Sequence, residues 1–172
     1  MKYNKQPLDI PAQIAMLKGR GLNIADEQVA WKTLELLSLG TLTKVFTNSS
    51  ATKTKKAIAQ DFDNTAFKAF ESWLACMASL RNYCAHHARI WNRNYPVTPE
   101  IPVSLPQTWL TKTKVPFNKL YPQLCCIVYL LNSIDPRNTF TSDIKALLQK
   151  YVTVDPTAMG FVKDWENEPL WR

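Results

Sequence analysis

The sequence has 172 residues, of which 46% are hydrophobic, and it contains six Trp, six Tyr and seven Phe. A chain of this size and composition can bury the core of one domain, which excludes an intrinsically disordered protein. Only four Gly are present, which argues against a Gly-rich phosphate-binding loop, and the formal net charge of +7 is compatible with a nucleic-acid partner.

The sequence predicts neither a signal peptide nor a membrane span. Residues 1–13 are polar, and the longest apolar run, residues 124–131, is too short to cross a bilayer. Two of the four cysteines, Cys125 and Cys126, are adjacent, which suits neither a disulfide framework nor a zinc ribbon. We therefore expect a soluble, cytoplasmic protein with reduced thiols, in which Cys125 and Cys126 are small buried residues.

The first third of the chain is predicted to form short helices. Asp9 is the candidate cap of the first helix, which ends near Gly19, and Asp26 is the candidate cap of the second. The second helix is predicted to continue to residue 40. Two short helices, over 42–46 and 57–62, follow it and are separated by a polar, basic loop over 48–56.

The strongest helical pattern covers residues 65–91. Its apolar residues recur with alternating steps of three and four and form one seam: Phe67, Phe70, Leu74, Met77, Cys84, Ala88 and Trp91. Arg81 interrupts this seam, and a charge there is costly unless it is paired or opens onto a site.

The remainder of the chain predicts a strap, two helices and a packed tail. Four prolines forbid a helix in the strap, and the tail carries more large apolar residues than a free tail would: Phe161, Trp165, Leu170 and Trp171. These elements are the strap over 95–106, helices over 121–133 and from Thr141 or Ser142 to about 150, and the tail over 156–172. The predicted fold class is all-α.

A surplus of positive charge lies in the middle of the sequence. Residues 64–134 contain seven Lys or Arg and two acidic residues, which accounts for five of the seven net charges. One interpretation is a solvated basic face. The other is a phosphate-binding surface, on which Trp91, Tyr95 and Trp109 are available to stack with bases.

Two adjacent histidines, the only ones in the chain, follow Asn82. On an ideal helix, at about 100° per residue, Asn82, His86, Arg89 and Arg93 share one face. Arg81 lies about 140° from His86 on the same wheel. Either the helix bends, or the Arg81 side chain reaches round, or a second chain supplies the missing half of the site.

These residue types suit RNA cleavage without a metal ion or other cofactor. His can carry a proton to or from a ribose hydroxyl near neutral pH, and Arg binds phosphate and stabilises charge on it. No cluster of Asp and Glu surrounds them, which argues against a two-metal nuclease. A zinc site from Cys84, His86 and His87 lacks a second ligand pair. The simpler alternative, in which Arg81 and His86 only form ion pairs or cap the helix, stays open.

Several segments of distinctive sequence keep a fixed order along most of the chain. The most specific is 80–93 (LRNYCAHHARIWNR), and the others are 17–22, 31–42, 72–74, 159–161 with Trp165, and 169–171. In sequence and order they resemble the bacterial Abi-like abortive-infection proteins of the AbiD and AbiF type.

The resemblance implies a HEPN-like helical bundle. Its Arg-x4–6-His motif is matched by Arg81 and His86, with Asn82 at the position that follows the Arg. HEPN ribonucleases typically dimerise so that two motifs face one another, which implies a homodimer. The implied role is phage defence or a toxin–antitoxin system, with RNA as substrate or partner and an RNA or protein antitoxin as a further partner.

One departure from the family concerns the N-terminal half. Family members carry a longer middle segment, which is missing here between residues 30 and 31, so the bundle is either internally deleted or completed by another copy. We expect one Abi-like helical domain over 1–172, with an N-terminal helix region (1–24), a bundle that carries the motif (31–150) and a tail (151–172).

Three functions are compatible with this sequence. The first is a metal-independent endoribonuclease in which His86 is the general acid and base, Arg81 stabilises the phosphate and Asn82 orients them. In that case the remaining cationic residues bind RNA phosphates: His87, Arg89 and Arg93. The alternatives are a non-catalytic RNA-binding module that uses the same basic face and a helical scaffold for protein interactions.

Overall fold

The structure, a computed structural model, describes residues 10–19, 26–49, 51–62, 66–102, 109–111 and 114–172. These residues form seven α-helices and three short 3-10 turns, with no strand among them, so the predicted all-α class is confirmed. The helices are α1 (Ile10–Gly19), α2 (Glu27–Leu36), α3 (Leu39–Asn48), α4 (Thr52–Gln60), α5 (Phe67–Ala85), α6 (Leu120–Ile134) and α7 (Phe140–Lys150). The 3-10 turns are Thr157–Met159, Trp165–Asn167 and Pro169–Trp171.

The first helices begin where side-chain caps are available. Asp26 accepts a hydrogen bond from the Val29 amide at 3.0 Å and starts α2 as predicted, whereas the proposed cap Asp9 lies outside the described residues. The predicted helix to residue 40 is wrong, because Ser38 accepts a hydrogen bond from the Thr41 amide at 3.2 Å and starts α3. The chain therefore turns at Leu37, which is extended, and the short helix predicted over 42–46 is part of the longer α3.

Helix α4 begins inside the segment predicted as a basic loop. The polar, basic composition of this segment predicted a loop, but one of its lysines is part of the packed structure. Lys55 is buried, with 9% of its surface exposed. Its ammonium group donates to the Thr47 carbonyl oxygen on α3 at 2.5 Å and lies 2.7 Å from the Glu71 carboxylate on α5. One paired lysine thus ties three helices together and offsets the cost of burying its charge.

Helix α5 lies at the centre of the bundle and packs against α3, α4 and α6. Its buried face is formed by Ala69, Phe70, Trp73, Cys76, Ala78 and Leu80. This face is rotated from the predicted seam: Phe67, Leu74 and Met77 are only half-buried, and Cys84 is exposed. Arg81 is therefore not a charge in a buried seam, and the fold bears no desolvation cost for it.

The strap and α6 cover the other side of α5. Residues 95–102 form no helix, as predicted, and the remainder of the strap to residue 106 lies outside the described residues. The indole of Trp73 donates to the Glu100 carbonyl oxygen at 2.8 Å, and the buried amide of Gln123 donates to the Val97 carbonyl oxygen at 2.8 Å. In α6, Cys125 and Cys126 are fully buried, as expected for small core residues.

The tail completes the core. Phe161, Trp165, Leu170 and Trp171 are all buried, which confirms the predicted packing of the tail. The Trp171 ring stacks on Tyr121 of α6 at 5.8 Å, centre to centre. Helix α7 ends at Lys150 as predicted, but it starts after Thr139, two residues before the first proposed cap. Within the described part of the chain, no helix is long and apolar enough to span a membrane.

Candidate functional site

Helix α5 ends at Ala85 in a hydrogen-bonded turn and not at Trp91 as predicted. The Ala88 amide donates to the Tyr83 carbonyl oxygen at 2.8 Å, and the His87 amide donates to the Cys84 carbonyl oxygen at 3.1 Å. His87 has a φ of 52°, in the left-handed region. This is the Schellman geometry that usually places Gly after the helix, and here His takes that position.

The early end of the helix changes how the motif residues are arranged. His86 is the C-cap of α5, so helical spacing no longer applies to Arg89 and Arg93. The prediction that Asn82, His86, Arg89 and Arg93 share one helical face is therefore wrong. What they share is a place in the chain: the last turn of α5 and the loop that follows it.

The three residues of the proposed catalytic motif are all exposed. The Arg81 guanidinium donates from Nη1 to the Asn82 side-chain oxygen at 3.2 Å, which joins these two residues. No hydrogen bond connects Arg81 with His86 within the described chain. Within the motif, Arg81 and Asn82 are therefore joined by a hydrogen bond, whereas the His86 imidazole lies at the helix end without a hydrogen bond to Arg81.

Arg93 holds the loop after α5 in place. Its guanidinium carbon lies 3.9 Å from the centre of the Tyr83 ring, and Nη1 donates to the Arg89 carbonyl oxygen at 3.1 Å. Its Nε is enclosed and has no hydrogen-bond partner. The stack covers a face of the guanidinium and the hydrogen bond uses one N–H of Nη1, so the phosphate contact predicted from sequence would use Nη2 or the second N–H of Nη1.

The aromatic residues predicted to stack with bases differ in their accessibility. Tyr95 is buried, its hydroxyl donates to the Ile90 carbonyl oxygen at 2.6 Å, and burial raises the pKa of this phenol to about 12. One face of Trp109 is covered by Trp73, at 5.6 Å between ring centres. The prediction is therefore wrong for Tyr95 and holds for at most one face of Trp109, whereas Trp91 is 48% exposed.

The surroundings of the motif are free of carboxylates in sequence. Between Glu71 and Glu100 the chain has no Asp or Glu, although it has three Arg and both His. Throughout the described residues, no group of three His, Cys, Asp or Glu side chains could hold a metal ion, so Cys84 does not form a zinc site with the two histidines. The loop thus offers cations and imidazoles to an anionic partner.

Sequence reasoning missed two features of this site. The first is the left-handed turn at His87, because no Gly or Pro marks the end of the helix. The second is the stacking of Arg93 on Tyr83, a contact between residues ten apart. The only signal in the sequence is the placement of Arg93 between two tyrosines, Tyr83 and Tyr95, which suits cation–π contacts.

Comparison with known families gives one match. Residues 23–92 match the family model described as Abi-like protein, and the matched segment includes α5 and the motif residues Arg81, Asn82 and His86. No curated protein and no solved structure matches the chain. The resemblance found in the sequence is confirmed by this match, which also supports a role in abortive infection.

Proposed function

Because residues 23–92 match the family model of Abi-like proteins, we propose that this protein is an abortive-infection endoribonuclease of HEPN type that cleaves RNA without a metal ion. The observation that carries the proposal is the exposure of Arg81, Asn82 and His86 together at the end of α5, in a stretch without carboxylates. The segment that carries these side chains therefore adds no negative charge that would repel an RNA phosphate.

In the proposed reaction His86 accepts the proton of a ribose 2′-hydroxyl, and the 2′-oxygen then attacks the adjacent phosphorus. The bond to the 5′-oxygen breaks, and that oxygen takes a proton from an imidazolium, which leaves a 2′,3′-cyclic phosphate and a 5′-hydroxyl. Arg81 stabilises the charge on the phosphoryl oxygens. Its hydrogen bond to Asn82 supports this role, since it fixes the direction of the guanidinium.

The proposal includes a homodimer in which two α5 ends face each other. Within one chain the Arg81 guanidinium donates to Asn82 and forms no hydrogen bond with His86, so a second copy would supply the guanidinium or imidazole that completes the pair. A dimer would also double the positive charge in the groove and favour RNA over other partners. An RNA or protein antitoxin would silence the activity by covering this groove.

The test is RNA cleavage by the purified protein in EDTA, with the ends of the products identified. His86→Ala is expected to reduce the rate at least about 100-fold, the usual contribution of a general acid or base. Arg81→Ala is expected to do the same, whereas Arg137→Ala, at an exposed Arg in the turn before α7, should cleave like the wild type. Cleavage that needs a divalent metal, or that survives His86→Ala, would contradict the proposal.

A second candidate is a non-catalytic RNA-binding module, which is favoured by the lack of a hydrogen bond between Arg81 and His86 in one chain. This function predicts RNA binding that weakens with salt and is retained in His86→Ala, with no cleavage by the wild type. Intact RNA after long incubation with a protein that binds it tightly would support the module over the nuclease.

A further inference from the structure

We propose that Trp91, together with Arg89, is a platform on which an RNA base stacks, and that the proposed site therefore takes unpaired RNA. This inference rests on the proposed function, because it names the substrate class of the same site. It is carried by three observations: the exposure of Trp91, its contact with Arg89 and the fixed backbone on either side of it.

Trp91 is unusual among the tryptophans of this protein. Of the five whose side chains the structure describes, Trp73, Trp165 and Trp171 are buried and Trp109 is half-buried against Trp73. Trp91 alone has about half of its surface, 48%, in contact with water. An indole left open in a basic, carboxylate-free loop is suited to stack with a nucleobase.

Arg89 lies directly beside this ring. Its guanidinium carbon is 5.5 Å from the centre of the Trp91 ring, within the range of a cation–π contact. A base that stacks on Trp91 would bring its phosphate near this cation. Arg89 would thus bind the phosphate and Trp91 would stack with the base, as is usual in proteins that bind single strands.

The backbone around Trp91 is already fixed before any partner arrives. The Ile90 carbonyl oxygen accepts from the Tyr95 hydroxyl at 2.6 Å, and the Arg89 carbonyl oxygen accepts from Arg93 at 3.1 Å. On the other side, Asn92 has a φ of 47°, in the left-handed region that Asn adopts more readily than most residues other than Gly. A loop held in this way loses little conformational entropy when a base binds, so most of the stacking energy remains as affinity.

Unpaired RNA is the class that such a platform can bind. In an A-form duplex the bases are stacked on each other, and the deep, narrow major groove keeps side chains out. Loops, bulges and single strands expose base faces that can stack on an aromatic ring. Trp91 is five residues from His86, so the chain separates them by at most about 18 Å. A base on Trp91 would therefore select which unpaired segment reaches the motif.

The test measures binding in a His86→Ala background, so that cleavage does not consume the RNA. The probes are a labelled 12-nucleotide RNA without self-complementarity and the 12-base-pair duplex made from it. Trp91→Ala is expected to weaken binding of the single strand about 5- to 150-fold, the usual range for one stacked base. Duplex binding and the salt dependence are expected to stay unchanged, and Trp91→Phe should keep most of the affinity.

The matched control is a second exposed pair of one cationic and one aromatic side chain, formed by Lys150 and Tyr151. Tyr151, at the end of α7, is 49% exposed, and the Lys150 ammonium lies 5.5 Å from its ring centre, the same spacing as in the Arg89 pair. Tyr151→Ala should bind both probes like the parent protein. Because both side chains are exposed, far-UV circular dichroism should show unchanged helix content in both variants.

Two results would overturn the platform. The first is a Trp91→Ala variant that binds the single strand as tightly as the parent, and the second is an equal loss for single strand and duplex. These results are distinct from failure of the proposed nuclease, which appears as an absence of cleavage by the wild type while the binding pattern is kept. If the parent protein binds an acidic peptide of equal charge as tightly as RNA, a protein partner replaces RNA in both proposals.

Discussion

His87 adopts a backbone conformation that suits Gly, so His87→Gly is expected to stabilise the protein. A left-handed conformation costs an ordinary residue about 1–2 kcal/mol, and Gly avoids this cost. The unfolded chain gains freedom with Gly, which costs about 0.5–1 kcal/mol. Since the His87 side chain is exposed, little contact is lost, and the net gain lies between about 0 and 1.5 kcal/mol, with a midpoint of about 0.75 kcal/mol.

The assay is thermal unfolding followed by circular dichroism. For a chain of this length the midpoint of this gain raises the Tm of His87→Gly by about 1.5–3 °C. Ala85→Gly is the matched control, because Ala85 is also exposed but lies in the last turn of α5, where Gly is unfavourable. That variant should lose about 0.5–1 kcal/mol, so introducing Gly at two positions two residues apart changes the stability in opposite directions.

The reasoning would be refuted if His87→Gly lowered the Tm as Ala85→Gly does. The imidazole would then make contacts that outweigh the backbone cost, or α5 would continue past residue 85. A variant that gains stability but loses RNA affinity would show instead that a strained His is kept at this position for binding.

Three further perturbations test the core. Trp171→Ala removes a fully buried indole and is expected to lower the free energy of unfolding by about 3–5 kcal/mol, measured as a shift of the urea midpoint. Glu71→Gln leaves the Lys55 ammonium without its charged partner and should cost about 2 kcal/mol in the same assay; a change below 0.5 kcal/mol, on the order of an exposed pair, would show that water replaces the carboxylate. Burial raises the pKa of the Cys76 thiol from 9.0 to about 11 and that of Cys125 to about 12. Between pH 9 and pH 12 the folded protein keeps thiol protons that the unfolded chain has released. The contribution of these thiols to the free energy of unfolding is therefore fully present below pH 9 and is lost as the pH rises from 9 to 12. A urea midpoint that stays constant between pH 8 and pH 10.5, with reductant present, would contradict this.

The sequence predicted well those features that are set by residues close together in the chain. The cap at Asp26, the irregular strap and the end of α7 at Lys150 each depend on one or two neighbouring residues. The large apolar residues of the tail were enough to predict that it packs. Large apolar residues are buried in most folds, so their presence predicts packing without any knowledge of how the helices are arranged.

Features that depend on distant contacts could not be predicted in this way. Lys55 joins a helix in place of a loop because Glu71, sixteen residues away, pairs with it. The rotation of α5 relative to its predicted seam follows from what α3, α4 and α6 present to it. At the candidate site, the sequence pattern placed Arg81 in the apolar seam of a helix that continues to Trp91, whereas the structure places it in the exposed last turn of α5. The difference arises because the helix ends at a left-handed His and Arg93 stacks on Tyr83.

The position of Trp171 in the core has a consequence for synthesis on the ribosome. Helices α5 and α6 pack against each other and are translated well before residue 171. The packing around Tyr121 of α6 stays incomplete until Trp171 stacks on its ring. A nascent chain halted before codon 171 would carry the whole LRNYCAHHARIWNR segment with bare apolar surface beneath it. Chaperones and proteases act on chains with exposed apolar surface, so we expect premature termination to lower the amount of folded protein.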